Sequence, residues 1–224
     1  MMFESKIKLT KRFSGGKTET PTYPLLALAR HRLFIDGKGV TTLVAGAGCP
    51  LSCAYCINRE LLTRTPKPIT PKELIEKVRV DDLYFRATGG GLTFGGGEAL
   101  LHIDFYEALR PLCPNWRLTA ETCLNVPRET AVRAASVFDA FIIDIKSLAP
   151  DIYLRYTGRE MGETLGNLEY LIEAVGAQRL TVRVPLIPSF NDEADREKTR
   201  RTLEKLGVKD MDFFEYAVKR PTDK

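Results

Sequence analysis

Three of the chain's five cysteines fall within the segment Gly46-Ala47-Gly48-Cys49-Pro50-Leu51-Ser52-Cys53-Ala54-Tyr55-Cys56. The spacing is Cys-x3-Cys-x2-Cys, and clustered thiolates are soft ligands suited to zinc or to an iron–sulfur cluster. A structural zinc site takes four protein ligands. Cys113 or Cys123 could supply a fourth, but neither has a Cys or His companion at short spacing. Three thiolates on one tight loop suit three irons of a cubane and leave the fourth iron open to a substrate. Gly46 and Gly48 suit a loop that must wrap closely around a bulky group.

A second segment, Thr88-Gly89-Gly90-Gly91-Leu92-Thr93-Phe94-Gly95-Gly96-Gly97-Glu98, is dense in glycine. It lacks the Lys-Ser/Thr ending of a phosphate loop and the spacing of a dinucleotide fingerprint. Alone it reads as a glycine-rich turn that lets backbones approach closely. Asp144 and Lys146 close the strongly apolar run Phe141-Ile142-Ile143-Asp144-Ile145-Lys146. An Asp and a Lys at a sheet edge ordinarily make a surface ion pair. At the end of a buried strand they become candidates for binding.

Apolar, β-branched runs alternate with segments of period near 3.6. Strands are expected at 39–45, 91–94, 117–122, 140–145, 179–186 and 212–216, and helices at 103–112, 128–137, 164–175 and 192–206. Another helix starts at Thr70-Pro71-Lys72-Glu73, where Thr70 can cap, Pro71 suits the first helical position and Glu73 completes a capping box. Gly207 suits the position that ends a helix. Six strand–helix alternations imply an α/β fold with a parallel sheet and right-handed crossovers. An open doubly wound sheet and a partial barrel both satisfy the pattern. In either, chemistry gathers at the C-terminal ends of the strands. Residues 1–24, polar and with Ser14-Gly15-Gly16-Lys17, read as an arm ahead of a single domain over 25–224.

Composition narrows the partners. The 33 basic and 29 acidic residues are mixed along the chain and give a net charge of +4. This is the pattern of a solvated surface, with no stripe for nucleic acid. No apolar run is long enough to cross a bilayer, and Met1-Met2-Phe3-Glu4-Ser5-Lys6 is not a signal peptide. A cytoplasmic location and no membrane partner are therefore expected. Clustered thiols in such a setting point to metal, not to a disulfide framework.

The cysteine loop, with Tyr55 before its last cysteine, resembles the radical S-adenosylmethionine superfamily. The glycine-rich segment, Glu121-Thr122-Cys123, Asp144-Ile145-Lys146 and Arg183-Val184-Pro185 together resemble the activating enzymes of glycyl radical enzymes within it. The resemblance runs from about Gly39 to Tyr216 and implies a partial (β/α)6 TIM-like barrel with outer helices. It implies one [4Fe–4S] cluster on Cys49, Cys53 and Cys56, with S-adenosylmethionine chelating the open iron. Reductive cleavage then yields a 5′-deoxyadenosyl radical that takes hydrogen from a glycine of a partner glycyl radical enzyme, with flavodoxin or ferredoxin as electron donor. Cofactor contacts are implied for Tyr55, Gly96, Gly97, Glu98, Glu121, Asp144, Lys146 and Arg183, with Glu121 either touching the methionine amino group or helping to bind a monovalent cation. In particular, Asp144 would accept from ribose hydroxyls and Lys146 would neutralise the methionine carboxylate. Two positions depart from the pattern: Ile57 and Ala217 stand where the pyruvate formate-lyase activase carries histidines. Alternatives are a radical enzyme acting on a small molecule or ribosomal peptide, and a non-catalytic module stapled by metal. Cys113 and Cys123 are expected to be ordinary buried thiols, and His31 and His102 structural.

Overall fold

The computed structural model describes residues 20–33 and 35–217. Its strands are β1 (Tyr23–Leu33), β2 (Val40–Gly46), β3 (Lys67–Ile69), β4 (Gly91–Gly96), β5 (Arg117–Thr122), β6 (Ala140–Asp144), β7 (Leu180–Leu186) and β8 (Met211–Glu215). The helices are α1 (Arg59–Leu62), α2 (Pro71–Val78), α3 (Asp82–Thr88), α4 (Ile103–Leu109), α5 (Arg128–Val137), α6 (Pro150–Thr157), α7 (Thr164–Val175) and α8 (Glu193–Lys205). One sheet runs in the order β3-β1-β2-β4-β5-β6-β7-β8. Each neighbouring pair from β2 to β8 is parallel. These six strands with their helical crossovers make the expected partial barrel, and the sheet stays open at β3 and β8.

Local chemistry explains several element ends. Thr70 accepts from the Glu73 amide while Glu73 accepts from the Thr70 amide at 2.8 Å, so the capping box at α2 forms as expected. At α8, Asp192 accepts from the Asp195 amide at 2.9 Å. The same helix stops where Gly207 takes φ +89° and the Val208 amide reaches back to the Leu203 carbonyl at 3.0 Å. Glycine adopts that left-handed conformation at least cost.

Strand β1 departs from the sequence expectation. Tyr23 and Pro24, grouped with the arm above, are its first residues, and it pairs antiparallel with both β2 and β3. Leu25, Leu26, Ala27, Leu28 and Ala29 favour a helix in isolation. Sheet pairing overrides that preference. Asp81, fully buried, ties β1 to the barrel: it accepts from Arg30 at 2.7 and 2.5 Å, from His31 at 2.8 Å and from Thr42 at 3.2 Å. Hydrogen bonding from Arg30 is the main reason the Asp81 carboxyl lies below its ordinary range. His31 therefore has the structural role expected of it.

Beneath the central strands lies a run of edge-on aromatic contacts. Phe94 meets Tyr106 at 4.6 Å, Tyr106 meets Phe138 at 4.9 Å and Phe138 meets Phe141 at 5.8 Å between ring centroids. Each such pair adds about 0.5–1.5 kcal/mol beyond the area it buries. This layer fixes β4 and β6, whose far ends carry the candidate site.

Candidate active site

The cysteine loop leaves the C-terminal end of β2 and is held almost entirely through its backbone. The Ala47 amide donates to the Pro24 carbonyl at 2.9 Å. His102 Nε2 donates to the Ala47 carbonyl at 3.0 Å, which is the structural role expected of that histidine. The Gly97 and Glu98 amides donate to the carbonyls of Gly46 and Gly48 at 3.0 and 2.8 Å. On the other side, the Ser52 and Ala54 amides donate to the Thr157 and Tyr156 carbonyls at 2.8 and 2.9 Å, at the C-terminal end of α6. Arg59 closes the loop by donating to the carbonyls of Cys53 and Ala54, both at 2.9 Å. Asn58 joins it to β4 through the Gly96 carbonyl at 2.8 Å.

Cys49, Cys53 and Cys56 then line one cavity of about 130 Å³ at the strand ends. Gly96, Gly97 and Glu98 from the end of β4 share its wall, as do Glu121, Asp144, Lys146 and Arg183 from β5, β6 and β7. Ten of the eleven residues singled out from the sequence thus meet at one place. Tyr55 is the exception: its ring packs behind the loop against Phe190 at 5.5 Å and Tyr156 at 6.2 Å, and it does not line the cavity.

Side chains within the wall depart from the expected roles in three ways. Glu98 is only 2% exposed, and its carboxylate is occupied by the protein itself. It accepts from the Leu100 amide at 2.9 Å, the Thr122 hydroxyl at 2.6 Å and the Cys123 amide at 2.8 Å. Cys123 is buried, as expected, but it is part of the cavity wall, with its sulfur 3.0 Å from Glu98 Oε2. Cys113 lies elsewhere and donates to the Leu109 carbonyl.

The third departure concerns Glu121 and Arg183. They form an ion pair at 3.0 Å, so the Glu121 carboxylate already has a guanidinium partner within the protein. Gly95 makes room for this pair, since a Cβ there would lie 2.5 Å from Glu121 Oε2. Burial raises the Glu121 carboxyl above its ordinary value, with Arg183 opposing. A carboxyl raised in the folded state weakens folding as pH rises. Arg183→Met is therefore expected to cost about 3 kcal/mol at neutral pH. The deficit should shrink as pH falls through the raised folded value and be least below 4.5, the ordinary glutamate value, where Glu121 is protonated in both states. Thermal melts of wild type and variant across that range check it. A deficit independent of pH would show that the pair is not the source.

Lys146 and Asp144 stand 3.5 Å apart, with Lys146 9% and Asp144 27% exposed at their side chains. Burial opposes the charge on Lys146, but Asp144, Tyr216 and Cys53 outweigh it and hold the ammonium charged. Its Nζ donates to the Tyr216 hydroxyl at 3.1 Å. Tyr216 and Tyr156 both line the cavity and were not among the candidates read from the sequence. Tyr156 is 1% exposed, and its hydroxyl has no hydrogen-bond partner among the described residues. No periodicity or motif marks a lone tyrosine on a two-turn helix.

A half-barrel with three thiols and a ring of buried charge at its strand ends defines a cofactor-dependent α/β enzyme class. The model of the Radical SAM superfamily matches residues 43–203, and the chain belongs to that superfamily. Its relatives include the (2S)-3-sulfopropanediol sulfolyase activating enzyme of Bilophila wadsworthia, 26% identical over 79% of this chain and 76% of that protein. The trans-4-hydroxy-L-proline dehydratase activating enzyme of Clostridioides difficile is 27% identical over 82% and 80%. The pyruvate formate-lyase-activating enzyme of Clostridium pasteurianum is 29% identical over 72% and 68%. Among solved structures, Streptococcus suis SuiB superposes with a TM-score of 0.61 at 15% identity over 81% of this chain. The chain spans 41% of SuiB's length. The structure of anSMEcpe with bound AdoMet superposes with a TM-score of 0.56 at 18% identity, covering 82% of this chain and 54% of that one. These likenesses establish the shared fold.

Membership implies a [4Fe–4S] cluster and S-adenosylmethionine, and the donor set fits them. Burial pushes the Cys49 thiol up to about 11 and raises Cys53, with the neighbouring thiols adding to both. Such a pair is unfavourable as bare thiolates and becomes favourable against a cationic iron centre. The sulfurs line one cavity without converging on one point: among the described residues no three Cys, His, Asp or Glu side chains could hold a single metal ion. Among the same residues, no helix is long and apolar enough to cross a membrane.

Proposed function

We propose that the chain activates a partner enzyme by creating a radical on one of its glycines. Cys49, Cys53 and Cys56 hold a [4Fe–4S] cluster, and S-adenosylmethionine binds beside it. The cluster, when bound and reduced, supplies the electron that cleaves S-adenosylmethionine to methionine and a 5′-deoxyadenosyl radical able to take hydrogen from a glycine α-carbon. The observation that carries this reading is the convergence of the three thiols with Gly96, Gly97, Asp144 and Lys146 on one cavity. The activating-enzyme relatives support it further.

This chain's own residues bind, orient and shield. Gly97 and the Gly96 edge bring β4 against the cysteine loop and offer backbone to the methionine end. Lys146 carries the one buried ammonium on the wall among the described residues and neutralises the methionine carboxylate. Asp144, partly open, accepts from ribose hydroxyls. Glu98 orients the post-β5 turn without touching the cofactor, and the Glu121–Arg183 pair closes the floor of the site. Ile57 stands 85% exposed and lines the mouth of the cavity, where a partner's loop would enter.

The test is anaerobic reconstitution with iron and sulfide, followed by dithionite and S-adenosylmethionine. Formation of 5′-deoxyadenosine is expected. With a candidate glycyl radical enzyme added, a glycyl doublet should appear in its electron paramagnetic resonance spectrum. A verified cluster that yields no 5′-deoxyadenosine overturns the reading. Cleavage without a doublet on any candidate partner moves the target to a small molecule or a peptide.

A further inference from the structure

We propose that Glu98 keeps Cys123 from becoming a fourth cluster ligand, so that one iron stays open for S-adenosylmethionine. The inference rests on the functional reading above and concerns a thiol that this reading leaves idle. Cys123 is 8% exposed and lines the same cavity as Cys49, Cys53 and Cys56. Its thiolate would be as soft a ligand as the other three and would occupy the position a substrate needs. A site with four thiols and one open iron must hold the fourth thiol back.

Glu98 has the means. Its carboxylate, 2% exposed, accepts from the Leu100 amide, the Thr122 hydroxyl and the Cys123 amide. The Cys123 thiol is its fourth donor, with sulfur and oxygen 3.0 Å apart. Four donors fill the acceptor sites of a carboxylate and suit its ionised form. An anion in that position keeps the proton on Cys123, because two adjoining negative charges in a buried wall repel strongly. Metal is ligated by the thiolate, not by the thiol. Cys123 is also the one cysteine of the cavity whose thiol donates to a carboxylate among the described residues. The turn that carries it has a second anchor in α7. Asn167 Nδ2 donates to the Leu124 and Val126 carbonyls at 3.1 and 2.8 Å, and Leu124 sits at φ +55°. That anchor remains when Glu98 is altered, so the change acts first on the thiol.

The experiment compares wild type, Glu98→Gln and Glu98→Gln/Cys123→Ala as full-length protein reconstituted with isotopically enriched iron. Mössbauer spectra are recorded before and after S-adenosylmethionine is added, with the cluster left oxidised so that nothing is cleaved. In wild type the compound should shift the signal of a single iron. Glu98→Gln should keep its iron, show no such shift and bind S-adenosylmethionine at least about 10-fold more weakly. The double variant should regain the shift, with an affinity within about twofold of wild type. A wild-type shift in Glu98→Gln overturns the proposal. So does a defect that persists in the double variant, because Glu98 then acts on the wall and not through the thiol. Circular dichroism checks folding. Should Glu98→Gln not fold, Glu98→Asp, with its carboxylate drawn back by one methylene, carries the same comparison. Absence of any shift in wild type removes the functional reading itself, and this assignment with it.

Discussion

Cys53→Ala is expected to leave the half-barrel folded while abolishing both iron retention and cleavage of S-adenosylmethionine. The loop around Cys53 is held by backbone hydrogen bonds from Ser52 and Ala54 to the end of α6 and by Arg59 on the Cys53 carbonyl. None of these uses the sulfur. Removing the thiol therefore deletes the ligand proposed above without removing the scaffold. Loss of cleavage should be at least about a thousandfold, or roughly 4 kcal/mol of barrier. Cys123→Ala provides the contrast. It lines the same cavity, but its sulfur is engaged by Glu98, so it should keep its iron. Iron and sulfide analysis, visible absorbance and circular dichroism separate ligand loss from unfolding. Full iron content in Cys53→Ala, with wild-type formation of 5′-deoxyadenosine, would remove the thiol from the ligand set.

The second large effect concerns Gly97. A Cβ at this position would stand 1.9 Å from the Gly48 carbonyl oxygen and 3.2 Å from that of Gly46. Both contacts are to backbone, and the Gly97 amide is itself bonded to the Gly46 carbonyl at 3.0 Å. No side-chain rotation can relieve the clash, so Gly97→Ala must push the cysteine loop away from β4. A loss of about 3 kcal/mol or more follows, which lowers the melting temperature by about 6–12 °C in a chain of this size. The loop displacement should also prevent full cluster loading. Gly207→Ala is the control: nothing lies within 4 Å of the position and only its φ of +89° is strained. It should cost about 1 kcal/mol and leave iron content unchanged. A Gly97→Ala protein with wild-type melting temperature and iron content would mean that β4 does not brace the loop.

Local features were legible without the structure. The ends of α5 and α7 fall at the expected residues, and the capping box at Thr70 and the stop at Gly207 form as read. Caps and periodicities are set by neighbours a few residues apart, so the chain alone suffices to show them. The cysteine spacing belongs to the same kind, because one short loop carries all three thiols. Strand β1 was not legible, since its leucines and alanines prefer a helix and only pairing with β2 and β3 makes them extended.

What the sequence by itself determined is the set of groups that can do the chemistry and the strand ends on which they ride. The tertiary structure decided which of them are free to do it. Glu98 turns inward to a residue 25 positions away, Glu121 finds Arg183 across 62, and Lys146 finds Tyr216 across 70. Tyr156 meets Tyr216 across 60, with ring centroids 6.2 Å apart. Such pairings depend on where the barrel brings distant strands together, and burial makes each pairing, or its absence, strongly felt. A charge or hydroxyl near in sequence to the cysteines carries no record of that.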